Sequence, residues 1–556
     1  MRQYLGLYAL ALVVVLAIVF VNPLREIMTA DDGWAYALSV RHLVETGEYK
    51  LNDWASVNMP VQIYWVGLLA KLFGYSFTIL RLSTLLLLFV AIVSFYYLLR
   101  DFGTGDVEAA LLSAAVVSSP IIFFLSFTFQ TDVQFLGWEL LALLLYTRAM
   151  RKQSYSVMAV ASLAGAAAIG TRQFGAALIA GLFITWLLLE QDRLRKIPLY
   201  VIGLALPLFM TLWQVAFGTH RPTFSQKLTL NAQWAYMRKW SGFVEGLFWR
   251  PPVSLQYLAL FLLPLIPFCA VLAWERWKRR ELLVDWRRWW LLAACILYIT
   301  AGICYRSQFQ RKTLLIPYLD WLLLPGSLSY PLFPSSDKVR LAITLLAYGF
   351  AIILGWLLAG RYLLSPRTRV ISQPEWFIVV CGVVAFGLQL IFVWFCDVYL
   401  IGFVPFTAFA LCQMSGKWSR WSKALTAVLC LLALGISSLW IRANLSYAEA
   451  TWRAAEIARA AQADSRDIAG NMTWSCYNGA FDDWIAEIGQ SPAPPINTGG
   501  NLIHPAFFTF LLQRYDHAHY IISSSRPQIG LQLLGTVPYR DKWLRRHTIY
   551  VTKRSS

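Results

Sequence analysis

The sequence predicts an all-α polytopic membrane bundle of roughly 13 transmembrane helices, followed by a small C-terminal α/β extracytoplasmic domain. Three observations predict it. Of 556 residues, 58% are hydrophobic and only 14% are charged, where a soluble domain carries about 25% charged residues. Apolar runs of spanning length recur as far as residue 441. From residue 442 the composition turns Ala- and charge-rich, then mixes turns with short strand-like runs.

The first apolar run, Tyr4 to Val21, is long enough to span. Asn22-Pro23-Leu24-Arg25 offers no small-residue cleavage site, so the run reads as an uncleaved first helix. A polar stretch over 23–76 follows. Further runs lie at about 77–99, 108–127, 132–150, 155–170, 174–190, 197–217, 254–274, 289–304, 313–330, 340–360, 375–395, 398–412 and 422–441. The basic clusters Arg148–Lys152, Arg193–Lys196 and Arg276–Arg280 belong on the cytoplasmic side, which puts loop 23–76 and the 128–131 turn outside. Fourteen crossings would leave Arg361–Arg369 outside. Thirteen result if 313–330, with Pro317, Pro325 and Gly326, returns to the side it left. The thirteen-crossing count is preferred, with domain 1–441 in the membrane and domain 442–556 extracytoplasmic, His519–Ile522 and Thr548–Val551 being expected strands.

Net charge is +18, but the cations flank apolar runs rather than forming a face. Positive-inside bias and anionic membrane lipids account for them, and nucleic acid is not an expected partner. Seven of eight cysteines lie in or at the end of apolar segments, and no CxxC pair or zinc spacing occurs. A Cys304–Cys396 disulfide at the outer surface stays open. The six histidines are scattered, and neither a Walker loop nor a dinucleotide fingerprint is present.

The strongest local signal is Asp31-Asp32-Gly33-Trp34, directly after the first spanning run. It opens a helical pattern over Trp34–Glu45 that suits a surface helix at the membrane. Helix capping and a base held at a membrane mouth both fit the two acids. Asp132 starts another spanning run, and Glu139 falls on nearly the same face about two turns deeper. An acid inside the bilayer is costly and faces a partner or a cavity. Asp320 poses the same question. Arg172, in Thr171-Arg172-Gln173, is an outward arginine against the positive-inside bias; Arg306, Arg311 and Lys312 form a second outward basic cluster. Phosphate, or Asp132 or Glu139, could hold Arg172. Asp397 and Tyr399 sit between two apolar runs without a spacer, where a tight turn also fits.

Taken together these motifs resemble the GT-C superfamily of membrane glycosyltransferases, and within it glycosyltransferase family 39, the protein O-mannosyltransferases and lipid A aminoarabinose transferases. The resemblance runs over residues 1–441. It is carried by Asp31-Asp32, by Glu45 to Tyr49, by Asn58-Met59-Pro60 with Tyr64-Trp65, by Thr131-Asp132, by Thr171-Arg172, and by Asp397-Val398-Tyr399-Leu400 with Pro405. The chain departs from the family in having Asp32 where Glu is common, Met59 where some members place Lys, and Val398 where Arg is usual.

The resemblance implies sugar transfer from a polyprenyl-phosphate donor to a lipid, glycan or protein acceptor at the outer face, by a single displacement with inversion at the anomeric carbon. Asp31 would be the general base, with Asp32 and Asp132 positioning or tuning it. Arg172, with Arg306, Arg311 or Lys312, would take the donor phosphate. No cofactor is required by that scheme, though paired acids could bind a divalent metal. The setting it implies is a bacterial inner membrane. The alternative class is a transporter or flippase of a lipid-linked sugar, with Glu139 and Asp320 on its path.

Overall fold

The structure, a computed structural model, describes residues 4–28, 32–278, 286–309, 337–363, 372–392, 397–414, 418–490, 503–527, 530–541 and 543–554. It is a helical bundle that carries a small sheet domain at one end. The bundle helices are α1 (Leu5–Val21), α2 (Gly33–Thr46), α3 (Pro60–Phe73), α4 (Phe77–Asp101), α5 (Asp106–Val117), α6 (Pro120–Leu125), α7 (Thr131–Lys152), α8 (Tyr155–Thr171), α9 (Ala176–Leu189) and α10 (Ile197–His220). They continue as α11 (Phe224–Arg238), α12 (Trp240–Phe261), α13 (Ile266–Lys278), α14 (Trp286–Phe309), α15 (Asp337–Leu363), α16 (Gln373–Ile391), α17 (Phe403–Cys412) and α18 (Arg420–Ala460).

Local chemistry sets many of the boundaries. Ser76 caps α4 by accepting the Ile79 amide, Pro60 starts α3 where no amide is needed, and Gly47 closes α2 at φ 76. Thr223 and Gln226 form a reciprocal capping box on α11. Among the described residues five helices are long and apolar enough to cross a membrane, or six if the pair Phe243–Phe261 and Leu263–Glu275, bent by 76°, counts as one span. The exposed leucines and valines of α1, α10 and α18 form the lipid-facing surface that water would not tolerate.

Ion pairs fix which helix termini share an end. At one end, the Gly6 amide donates to Asp106 Oδ2 at 2.9 Å and Arg148 Nε to Asp101 Oδ2 at 2.6 Å. There too Lys423 meets Glu108, Lys196 meets Glu190, and Gln373 Nε2 reaches Glu190 at 2.7 Å. Arg361 and Glu375, both buried, pair at 2.8 Å close by. At the far end, Glu26 accepts the Phe77 amide at 2.6 Å, Arg25 pairs with Glu449, and Arg221 pairs with Glu48. On α14 and α15 Thr300 meets the Tyr348 hydroxyl, while Gly355 faces Cys295, so the two helices run antiparallel. The expected re-entrant run, 313–330, lies outside the described residues.

The C-terminal domain does not begin on a break. Helix α18 runs unbroken for 41 residues, through the expected boundary at 441/442. Beyond it come β1 (Ile468–Ala469), α19 (Met472–Tyr477), α20 (Ala480–Gln490), α21 (Ile503–His517), β2 (Tyr520–Ser523), β3 (Leu531–Arg540) and β4 (Arg546–Arg554), with sheet order β1-β2-β4-β3. Both expected strands are present, within β2 and β4. The domain covers the far end. Trp54 packs edge-on against Phe481 at 4.9 Å, Phe77 against Tyr477 at 5.1 Å, and Phe224 against Trp484 at 5.9 Å. Helix α2 is accordingly more deeply buried than a surface helix: Trp34, Ala35, Ala37 and Val40 are inaccessible to solvent or nearly so.

Candidate functional site

Three of the expected site residues, Asp132, Arg172 and Tyr399, meet at the far end. Asp132 lies in the first turn of α7, and Arg172 follows α8, where the backbone turns extended (φ −148, ψ 137) before a short 3-10 turn. Arg172 Nη1 donates to Asp132 Oδ1, and both side chains are largely buried. The Asp132 carboxylate thus serves a cation from another helix.

The guanidinium is also boxed by rings. Its carbon stands 4.8 Å from the Tyr399 ring centre and 5.7 Å from that of Phe174. Phe174, Tyr399 and Phe392 contact one another at 5.6 to 6.0 Å. Cation–π attraction and the carboxylate together fix a planar, permanently charged fork at the mouth of the bundle. Tyr399 is brought there by the 3-10 turn Asp397–Leu400, so the tight turn expected between the two apolar runs also delivers a ring to the site.

Arg81 was not legible as a site residue, yet it ties the two acidic segments together. Its Nη1 donates to the carbonyls of Pro23 (2.7 Å) and Arg25 (2.8 Å), its Nη2 to Ile27 (2.6 Å) and its Nε to Phe127 (2.9 Å). The chain just before Asp31 and Asp32 and the chain just before Asp132 are thereby held on one buried guanidinium. A signal was available: an arginine inside an apolar spanning run demands partners.

A second buried network sets α3 beside the site. Asn58 and Gln214 exchange side-chain to carbonyl bonds at 3.2 Å, Gln226 Nε2 donates to Asn58 Oδ1 at 3.0 Å, and Gln62 Nε2 to the Phe129 carbonyl at 3.4 Å. Met59 is fully buried.

Asp32 immediately precedes α2 and makes no capping hydrogen bond to it. It lies close to Cys476 of the C-terminal domain, whose thiol is pushed well up by burial and then by the Asp32 charge. Glu139 is buried in α7, and its Oε2 has no hydrogen-bond partner among the described residues. It faces Gly402, where an added Cβ would come within 3.2 Å of that oxygen. Asp31, Arg311, Lys312, Asp320 and Cys396 lie outside the described residues, as do the side chains of Arg306 and Asp397. Among the described residues no three His, Cys, Asp or Glu side chains converge as a metal site would require.

Helices with lipid-facing flanks, packed beneath an acidic loop and a buried Asp–Arg pair, define an integral membrane protein with a polar site at one end. A family model described as "Dolichyl-phosphate-mannose-protein mannosyltransferase" matches residues 58–214, the segment that contains Arg81, Asp132 and Arg172. Among solved structures the chain is similar to ArnT from Cupriavidus metallidurans bound to undecaprenyl phosphate, at 14% identity over 97% of each chain and a TM-score of 0.40. It is also similar to the archaeal oligosaccharyltransferase AglB from Archaeoglobus fulgidus in complex with an inhibitory peptide and a dolichol-phosphate. There the identity is 12% over 94% of this chain and 70% of that one, with a TM-score of 0.46. No curated protein sequence matches the chain.

Proposed function

We propose that the protein transfers a sugar from a polyprenyl-phosphate-linked donor to an acceptor hydroxyl or similar nucleophile, at the end of the bundle covered by the C-terminal domain. One observation carries the reading: the family-matched segment presents a ring-boxed Arg172, paired with Asp132, beside the loop that bears Asp31 and Asp32. Thirteen crossings with that end outside a bacterial inner membrane are part of the proposal. The alternation of helix termini between two pinned ends supports it.

In this scheme Asp31 accepts the acceptor's proton as its oxygen attacks the anomeric carbon. The new bond forms on the face opposite the phosphate, the bond from the anomeric carbon to the phosphate oxygen breaks, and the sugar inverts. Polyprenyl phosphate departs with the electron pair. Arg172, helped by Arg306, Arg311 or Lys312, stabilises the growing phosphate charge. Asp32 and Asp132 position the acceptor and tune Asp31. Asp132 acts in part through Arg172, by holding its guanidinium in place.

The test is sugar transfer by purified protein from radiolabelled polyprenyl-phosphate sugars to acceptors in a membrane extract. Asp31→Asn is expected to lose at least about a hundredfold while remaining folded. Equal transfer by both proteins would remove Asp31 from the mechanism. The second reading, a flippase of a lipid-linked sugar, draws on the unpartnered acid Glu139. Donor binding without transfer, together with movement of labelled donor across a liposome membrane, would favour it.

A further inference from the structure

The β3–β4 hairpin ends in a turn that the proposed chemistry does not use. Trp543 and Leu544 at its tip are 58% and 48% exposed, and Arg540, Arg545 and Arg546 around them are exposed as well. The turn is built, not frayed. Asp541 Oδ1 accepts the amides of Trp543 (2.8 Å) and Arg545 (2.9 Å), and Asp541 Oδ2 lies 2.9 Å from His547 Nε2.

The direction of the hairpin follows from its contacts along α18. Gly535 lies against Ile457, Tyr539 packs on Tyr447 at 5.4 Å, and the Arg540 amide donates to Ser446 Oγ at 3.3 Å. Moving outward along β3 therefore means moving back down α18 toward its apolar half. Ser446 stands about 7 Å beyond Ile441, the last residue of the apolar run, at 1.5 Å per helical residue. The ladder closes at Arg540 opposite Arg546, and the turn beyond it projects about two residues further, about 7 Å at strand spacing. The tip thus comes level with Arg442, which lies over the ring of Phe20 at 4.7 Å, where α1 and α18 leave the apolar layer.

We propose that this tip is a membrane anchor, with Trp543 and Leu544 seated in the interfacial layer of the same bilayer and Arg540, Arg545 and Arg546 on anionic phospholipid headgroups. Trp favours that depth, and arginines suit lipid phosphate. Each cation near an anionic surface biases occupancy about fivefold. The anchor gives the C-terminal domain a second hold on the membrane, independent of α18 and of the sugar-transfer reading.

The experiment is hydrogen exchange read by mass spectrometry on the full chain, in nanodiscs of zwitterionic lipid and of lipid about one-third anionic. Amides at 541–546 are expected to exchange roughly tenfold more slowly in the anionic discs. That difference is expected to vanish in Arg545→Gln/Arg546→Gln, and protection in both discs is expected to fall in Trp543→Ser/Leu544→Ser. Unchanged exchange across β2 and α20 reports that the domain is folded in each variant; the charge variant alters only exposed side chains. Equal exchange in both lipids for the wild type overturns the proposal. So does protection that appears only when a soluble acidic polysaccharide is added, which would make the tip an acceptor surface.

Discussion

At the residue scale, the most informative side chain is Arg81. Its four bonds to carbonyls are charge-assisted, and each such bond is worth about 1.5–3 kcal/mol. Arg81→Met is expected to destabilise the protein by at least about 3 kcal/mol and to lower kcat more than it raises the donor KM, because the acids are displaced rather than the phosphate site. Arg81→Lys, which cannot span all four carbonyls, should recover only part of both. Thermal unfolding and transfer kinetics measured together separate positioning from stability: a variant that loses stability but keeps kcat would make Arg81 structural alone. Arg172→Lys keeps the charge but loses the planar fork. It is expected to raise the donor KM and cut transfer by about a hundredfold, and unchanged kinetics would take the phosphate away from this residue. Asp132 and Arg172 were legible because both break the rules of a spanning segment. Their pairing was one of several open choices, since pairing depends on how α7 and α8 pack. The ring box was not legible, because Phe174 is far in sequence from Phe392 and Tyr399 and aromatic residues are common throughout the chain.

At the scale of elements, runs of apolar residues located the long helices well and the short ones less well. Helix α5 ends at Val117 and α6 begins at Pro120, where a single run over 108–127 was expected. A proline that starts a new helix divides a stretch whose composition is uniformly apolar. Helix α2 was expected on the membrane surface, but its outer face is covered by a domain hundreds of residues away. Periodicity within the helix carries no information about that cover. The contact of α20 with loop 23–76 is expected to respond to pH. Partial burial raises the Asp482 carboxyl above its ordinary 3.8, and the nearby Asp53 and Asp483 charges add to the effect. A carboxyl raised in the folded state holds more protons there than in the unfolded chain. Its contribution is therefore fully present below 3.8 and is lost as pH rises through the raised value. Domain docking, followed by protease sensitivity of the 442–556 region, is expected to loosen over that window, and Asp482→Asn is expected to flatten the dependence.

At the scale of the whole molecule, the aromatic seam between loop and domain is where sequence reasoning reached least far. Trp34, Trp54, Phe481, Trp484 and Phe507 form one cluster, with Phe481 completely buried. Phe481→Ala is expected to cost about 3–5 kcal/mol and to release the domain from the loop, seen as faster proteolysis of the 442–556 region at unchanged membrane insertion. If cleavage rates match the wild type, the seam is not what holds the domain in place. The acidic loop, the covering domain and the boxed arginine are contributed by segments far apart in the chain, so only the assembled chain presents them together.

The unbroken helix α18 has a mechanical consequence. With no turn between its lipid-embedded half and the half that carries the sheet, its 41 residues form a single beam about 60 Å long. A tilt of a few degrees at the embedded end would be delivered as a displacement of several ångströms at Ala460, and a push on the sheet would be felt among the spanning helices. Bilayer thickness, acting on the lower part of the beam, thus becomes a control on how closely the C-terminal domain presses on the loop that holds Asp31 and Asp32.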